Sequence, residues 1–189
     1  LVIIKNEAFL KEIEWLTNAQ IKLSTGTSGN SEIPYYDHLA LVAGDANYND
    51  EAGIYPKQSG NEELSWEQTW ANNIGLTLGF FNRVNLNVDF YHKKTTNMLM
   101  LVPQSYAITG VGNRWDNIGA MMNRGVEIAM DGDVIRTKYF TWNLSANVSY
   151  NKNKLLELYN GVEEYVNSTT GLKYVVGHPV HEYYMNRYA

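Results

Sequence analysis

A period of two, repeated along the chain, is the feature that most limits what it can fold into. It is sharpest between Trp66 and Tyr91. Ile74, Leu76, Leu78 and Phe80 alternate there with Gly75, Thr77 and Gly79. After Phe81-Asn82-Arg83 the alternation restarts, with Val84, Leu86, Val88 and Phe90 set against Asn85, Asn87 and Asp89. Neighbouring side chains of a strand point to opposite faces, so each stretch predicts a strand with one apolar and one polar face. The short gap containing Asn82 predicts a hairpin turn.

The pattern recurs. Ile21, Leu23 and Thr25 alternate with Lys22, Ser24 and Gly26, and Val126, Ile128 and Met130 alternate with Glu127, Ala129 and Asp131. The longest run sets Phe140, Trp142, Leu144, Ala146, Val148 and Tyr150 against Thr141, Asn143, Ser145, Asn147, Ser149 and Asn151. Leu1 to Ile4 reads as the end of a strand. Phe9, Leu10, Ile13 and Leu16 stand at helical spacing behind Asn6, which predicts one or two helical turns over residues 6–16 capped by Asn6. Residues 28–63, with Gly29, Pro34, Gly44, Gly53, Pro56 and Gly60 among scattered Asn and Asp, residues 93–122, with Pro103, Gly110 and Gly112, and the stretch after 152, where the alternation dissolves, read as long loops. The links at 81–83 and 133–139 are short, and that at 5–19 is intermediate.

Two all-β folds fit this layout. A soluble β-sandwich that binds glycans through exposed aromatics shows the same alternation. A transmembrane β-barrel adds short periplasmic turns and long extracellular loops. Two features favour the barrel. The run from Phe140 to Tyr150 rises roughly 25 Å at a tilt near 40°, the height of a barrel's apolar band. Aromatics also gather at both strand ends: Phe80, Phe81, Tyr139, Phe140 and Trp142 by the short turns, and Trp66, Trp70, Phe90, Tyr91 and Tyr150 by the long loops. No apolar run approaches the ~20 residues of a spanning helix, a test that barrel strands escape. The chain begins at Leu1 inside an apolar run and ends at Ala189 without a stop signal, and is expected to be a piece of a longer protein.

Composition excludes some functions. The net charge is −5 with no basic block, which argues against nucleic acid as a partner. Without cysteine there is neither a disulfide nor a thiolate metal site. Asp45, Asn47, Asn49 and Glu51 alternate like the start of a calcium loop, but Asp50 and Pro56 stand where an EF-hand needs Gly and Glu. His178 and His181 lack a third metal ligand, and Gly110 and Gly112 lack the third glycine of a nucleotide loop. Asn143, Asn147 and Asn167 fit the glycosylation sequon, and strand alternation accounts for the first two. No nucleophile elbow or paired-carboxylate pattern is present, so no enzyme is expected, and no catalytic, cofactor or metal residue is assigned. Tyr35, Tyr36, Tyr48, Tyr55, Tyr106 and Trp115 fall on the predicted outer loops. They could stack on a sugar, meet a partner protein or pack the loops together.

Several phrases resemble the C-terminal part of the barrel of SusC/RagA-like TonB-dependent outer-membrane transporters. They are FLKEIEWLTNAQIKLSTGTSGN (Phe9 to Asn30), the stretch from Asn61 to Met100, DNIGAMMNRGVEIAMDGDVIRTKYFTWNLSANVSYNKNKLLEL (Asp116 to Leu158) and VVGHPVHEYYMNRYA (Val175 to Ala189). They stand in family order and cover most of the chain. The resemblance implies a fragment of a large antiparallel barrel, about six strands of some twenty-two, with residues 1–189 a partial C-terminal barrel region lacking the plug domain. It implies energised uptake of oligosaccharides or peptides across the cell outer membrane, with contact to its lipid. The implied partners are a SusD-like surface lipoprotein acting as a lid, and TonB, which would act through an N-terminal region absent from these residues. The substrate-binding residues are left unassigned.

Overall fold

The computed structural model describes residues 1–166, 171–180 and 182. In chain order the elements are β1 Val2–Ile3, α1 Ala8–Lys11, β2 Leu16–Asn30, β3 Leu41–Tyr48, β4 Glu51–Gln58, β5 Glu67–Phe80, β6 Val84–Thr96, β7 Leu99–Pro103, α2 Tyr106–Thr109, β8 Asn113–Asn117, β9 Ala120–Arg136, β10 Thr141–Glu157, β11 Glu164–Val166 and β12 Lys173–Val175, with a 3₁₀ turn at Tyr159–Gly161 before β11. A six-stranded sheet runs in the order β1-β2-β5-β6-β9-β10, and β3-β4, β7-β8 and β11-β12 form separate two-stranded sheets.

Each expected strand is present; β1 is shorter than the run Leu1 to Ile4, and the others are longer than their hydrophobic alternation. The run at Arg124 to Gly132 lies within β9, and that at Phe140 to Tyr150 within β10, which continues to Glu157. Alternation of hydrophobicity records only the part of a strand whose faces differ in wetness. Polar residues carry the same pairing further.

Four expectations need correction. The helix predicted over 6–16 is only α1. Glu7, not Asn6, occupies its N-cap and makes no side-chain capping bond. The Lys5 ammonium donates to the carbonyls of Leu10, Lys11 and Ile13 at 2.7, 3.1 and 2.9 Å, closing the helix end early. Residues 28–63 are not all loop: β3 and β4 form a hairpin there. Residues 93–122 hold the end of β6, the β7-β8 pair and α2, and β11 and β12 follow β10.

The link between β5 and β6 is a two-residue turn with positive φ at Phe81 (55°) and Asn82 (53°), and Arg83 N–H donates to the Phe80 carbonyl at 2.9 Å. That is the primed geometry matching strand twist. A phenylalanine there is costly and is held from β2's approach. Phe81 N–H donates to the Trp15 carbonyl at 2.8 Å, and the Trp15 ring stacks on Phe80 at 5.9 Å and leans on Phe81 at 6.5 Å.

The chain divides into two compact units. The first, residues 1–27, 70–94 and 122–153, is the body of the large sheet. Its apolar face is uncovered: Ile74 is 54% exposed, Val148 64%, and Phe90, Met130, Trp142 and Leu144 are exposed too. A sandwich would bury that face. The second unit, residues 28–69, 95–121 and 154–189, holds most of the buried apolar side chains among the described residues, including Val102, Val111, Ala120, Leu155 and Leu158.

Candidate functional site

The polar face of the sheet body is a ladder of side-chain bonds. Asn73 donates to Ser24 Oγ at 3.1 Å, Thr77 to Asn87 at 2.8 Å, Asn85 to Asp131 at 3.0 Å, Asn153 to Asn123 at 2.7 Å and Asn143 to Asp133 at 3.3 Å. Asn143 therefore belongs to this face, as the alternation implies. The Tyr91 hydroxyl crosses β9 to donate to Asn151 at 3.0 Å, and Lys93 lies 5.5 Å from the Tyr91 ring.

Two carboxylates stand apart from the ladder. The register set by Asn85 and Asp131 places Asp89 opposite Glu127, and like charges in that position repel. Asp89 rests over Gly75, where a Cβ would come within 2.5 Å of its carboxylate oxygen. Both carboxylates line two open grooves. One, of about 370 Å³, adds Asn147 and Ser149. The other, of about 480 Å³, adds Asn73, Tyr91, Lys93, Asn123 and Asn151. Such a face can take hydroxyls, amides and ammonium groups. It holds no nucleophile with an adjacent base.

The second unit builds a firmer surface. The Trp115 indole N–H donates to Asp37 at 2.7 Å, and Asn61 donates to the Trp115 carbonyl at 3.0 Å and to Asp116 at 3.2 Å. Arg114 pairs with Asp116 at 2.7 Å. Asn117 donates to the carbonyls of Ser65 and Asn97 at 2.6 and 3.0 Å. A cavity of about 260 Å³ opens among Asp37, Lys57, Gln58, Tyr106, Arg114 and Trp115.

The aromatic residues read from the sequence therefore divide. Trp115 is tied into the loops, whereas Tyr35, Tyr36 and Tyr106 are exposed. Tyr55 hydrogen-bonds Asp45, whose bond and negative charge together hold the phenol above its ordinary range. Asp45, Asn47, Asn49 and Glu51, which alternate like a calcium loop, lie along a β-hairpin, with Tyr48 paired to Glu51. His178 bonds Glu182 at 2.8 Å. His181 and Asn167 lie outside the described residues. The register that sets Asp89 against Glu127 was not visible in the sequence, although both fall on the polar side of their strands.

An antiparallel sheet dry on one face and polar on the other, with tight turns at one end of its long strands and extended connections at the other, is a piece of barrel wall. Residues 15–184 match the family model described as TonB dependent receptor-like, beta-barrel, and the chain belongs to that family. It is 38% identical over 156 residues to a TonB-dependent receptor of Formosa agariphila, covering 82% of this chain and 15% of that protein. It is 32% identical over 170 residues to the TonB-dependent receptor SusC of Bacteroides thetaiotaomicron, covering 84% and 17%. The solved RagAB peptide transporter is 38% identical with a TM-score of 0.84, over 94% of this chain and 20% of that one. The same importer in its open-open state also has a TM-score of 0.84, over 94% and 19%. The chain thus spans a fifth or less of each of these proteins.

Proposed function

We propose that residues 1–189 are a C-terminal part of the barrel wall of an outer-membrane importer, with no chemistry of their own. The importer takes up oligosaccharides or peptides. A SusD-like lipoprotein covers its outer mouth, and TonB supplies the energy through a plug and an N-terminal region outside this chain. The observation that carries this reading is the 38% identity, over 94% of the chain, to a peptide importer.

The surfaces described above take roles within it. The polar face of the sheet lines the lumen, where Asp89 and Glu127 meet cationic or hydroxyl groups of the plug or the passing substrate. The exposed tyrosines of the second unit face the substrate or the lid. The test is membrane fractionation of the native full-length protein, followed by recovery in mild detergent. The expected result is the outer-membrane fraction with a stoichiometric lipoprotein. Recovery as a soluble monomer would overturn the reading and return attention to glycan binding.

A further inference from the structure

At the loop end of the sheet body, the apolar face stops at a row of basic side chains, the cations Lys94, Arg124 and Lys152 with His92 among them. Same-face hydrogen bonds set the register: Asn85 with Asp131 joins β6 to β9, and Asn153 with Asn123 joins β10 to β9. Counting from these pairs places Arg124 between His92 and Lys152, with Lys94 two residues further along β6. All four are exposed, and none forms an ion pair with a described residue.

One step toward the short turns, the same face carries Phe90, Val126 and Tyr150, and the next step Val88, Ile128 and Val148. On these strands Asp89, Glu127, Asp131 and Asp133 all occupy positions of the polar face, so among the described residues of β6, β9 and β10 the row has no anion on its own side. Cations without counterions at the edge of a dry belt fit a ligand that is anionic at one end and apolar at the other. A soluble anion would answer the charges but gain nothing from Phe90, Val126 and Tyr150.

We propose that His92, Lys94, Arg124 and Lys152 hold the phosphate-bearing headgroup of an outer-leaflet lipid, whose acyl chains lie on the apolar belt beside them. Arg124 offers a fork for two phosphate oxygens, and the lysines add mobile point charges. The inference rests on the outer-membrane placement proposed above.

The test uses the full-length transporter in mild detergent. Native mass spectrometry follows retention of a bis-phosphorylated glucosamine glycolipid (lipid A) and of the same lipid after phosphatase treatment. The wild type is expected to retain the phosphorylated form in excess inorganic phosphate. The triple variant Lys94→Gln/Arg124→Gln/Lys152→Gln is expected to bind it roughly a hundredfold more weakly, three charges each contributing about a factor of five. Lys93→Gln, on the same strand but the opposite face, leaves retention unchanged.

Equal retention of both lipids, equal retention by wild type and triple variant, or displacement by inorganic phosphate overturns the proposal. Should the triple variant fail to give the folded band on an unheated gel, Lys152→Gln alone is read, with an expected loss of about fivefold. No loss in that single variant overturns the proposal too. Fractionation of the wild type keeps the two readings apart. A protein outside the outer membrane ends the importer reading, whereas an outer-membrane protein indifferent to lipid phosphate ends only this one.

Discussion

Gly125 shows what one missing side chain permits. A Cβ there would collide with the Tyr150 carbonyl and come within 2.5 and 2.6 Å of Tyr91 Oη and Cζ. The carbonyl belongs to a paired strand and cannot yield, so Tyr91 would have to leave and give up Asn151. Overpacking of this kind costs about 1–3 kcal/mol. Gly125→Ala in the full-length transporter should therefore lower the temperature at which the heat-modifiable folded gel band is lost. Gly26→Ala is the matched control, since nothing lies within 4 Å of its Cβ position. Equal behaviour of the two variants would contradict the close approach. The sequence marks Gly125 as small but does not show why. Tyr91 lies over it only because β6 pairs with β9, across a separation that no local pattern reports.

Among the elements, the β3-β4 hairpin is one of those the sequence hid. Its residues read as loop because Gly44, Gly53 and Pro56 interrupt any apolar alternation, and the strand register shifts between Ala43 and Ala46. Asn49 and Asp50 both adopt positive φ, 53° and 64°, which Asn tolerates and Gly prefers. Asp50→Gly creates the Asn-Gly pair favoured in such turns and relieves a left-handed residue, a strain of about 1–2 kcal/mol that glycine's greater unfolded freedom offsets in part. Slower hydrogen exchange at the β3 and β4 amides is the expected result, and faster exchange would show that the turn does not limit the hairpin. The long strands were legible for the opposite reason. Their two faces meet different surroundings, so β5, β6, β9 and β10 carry their period openly. Their polar ends, such as Asn153 on β10, pair just as well but leave no hydrophobic trace.

For the whole molecule, alternation records that one face of the sheet is dry, without saying what keeps it dry. Lipid and a second sheet leave the same mark in a sequence, which is why the sandwich stayed open until the resemblance, and then the uncovered face, separated them. The distinction has an energetic signature. An arginine facing lipid near the middle of the belt costs about 2–4 kcal/mol, whereas one facing a wet lumen costs little. Met130 and Ala129 are neighbours on β9 and take opposite faces. Met130 is exposed on the apolar side, and Ala129 stands between Glu127 and Asp131 on the polar side. In the full-length protein refolded into lipid vesicles, Met130→Arg should shift the urea midpoint of folding downward by a margin set by that cost. Ala129→Arg should leave it nearly unchanged, or raise it slightly through its acidic neighbours. A sheet covered by protein on its apolar side would also reject the first variant, so the discriminating arm is bilayer thickness. Met130→Arg should be less harmful in thin, short-chain vesicles, where a shorter path brings the guanidinium to water. A penalty independent of chain length would mean that protein, not lipid, covers this face.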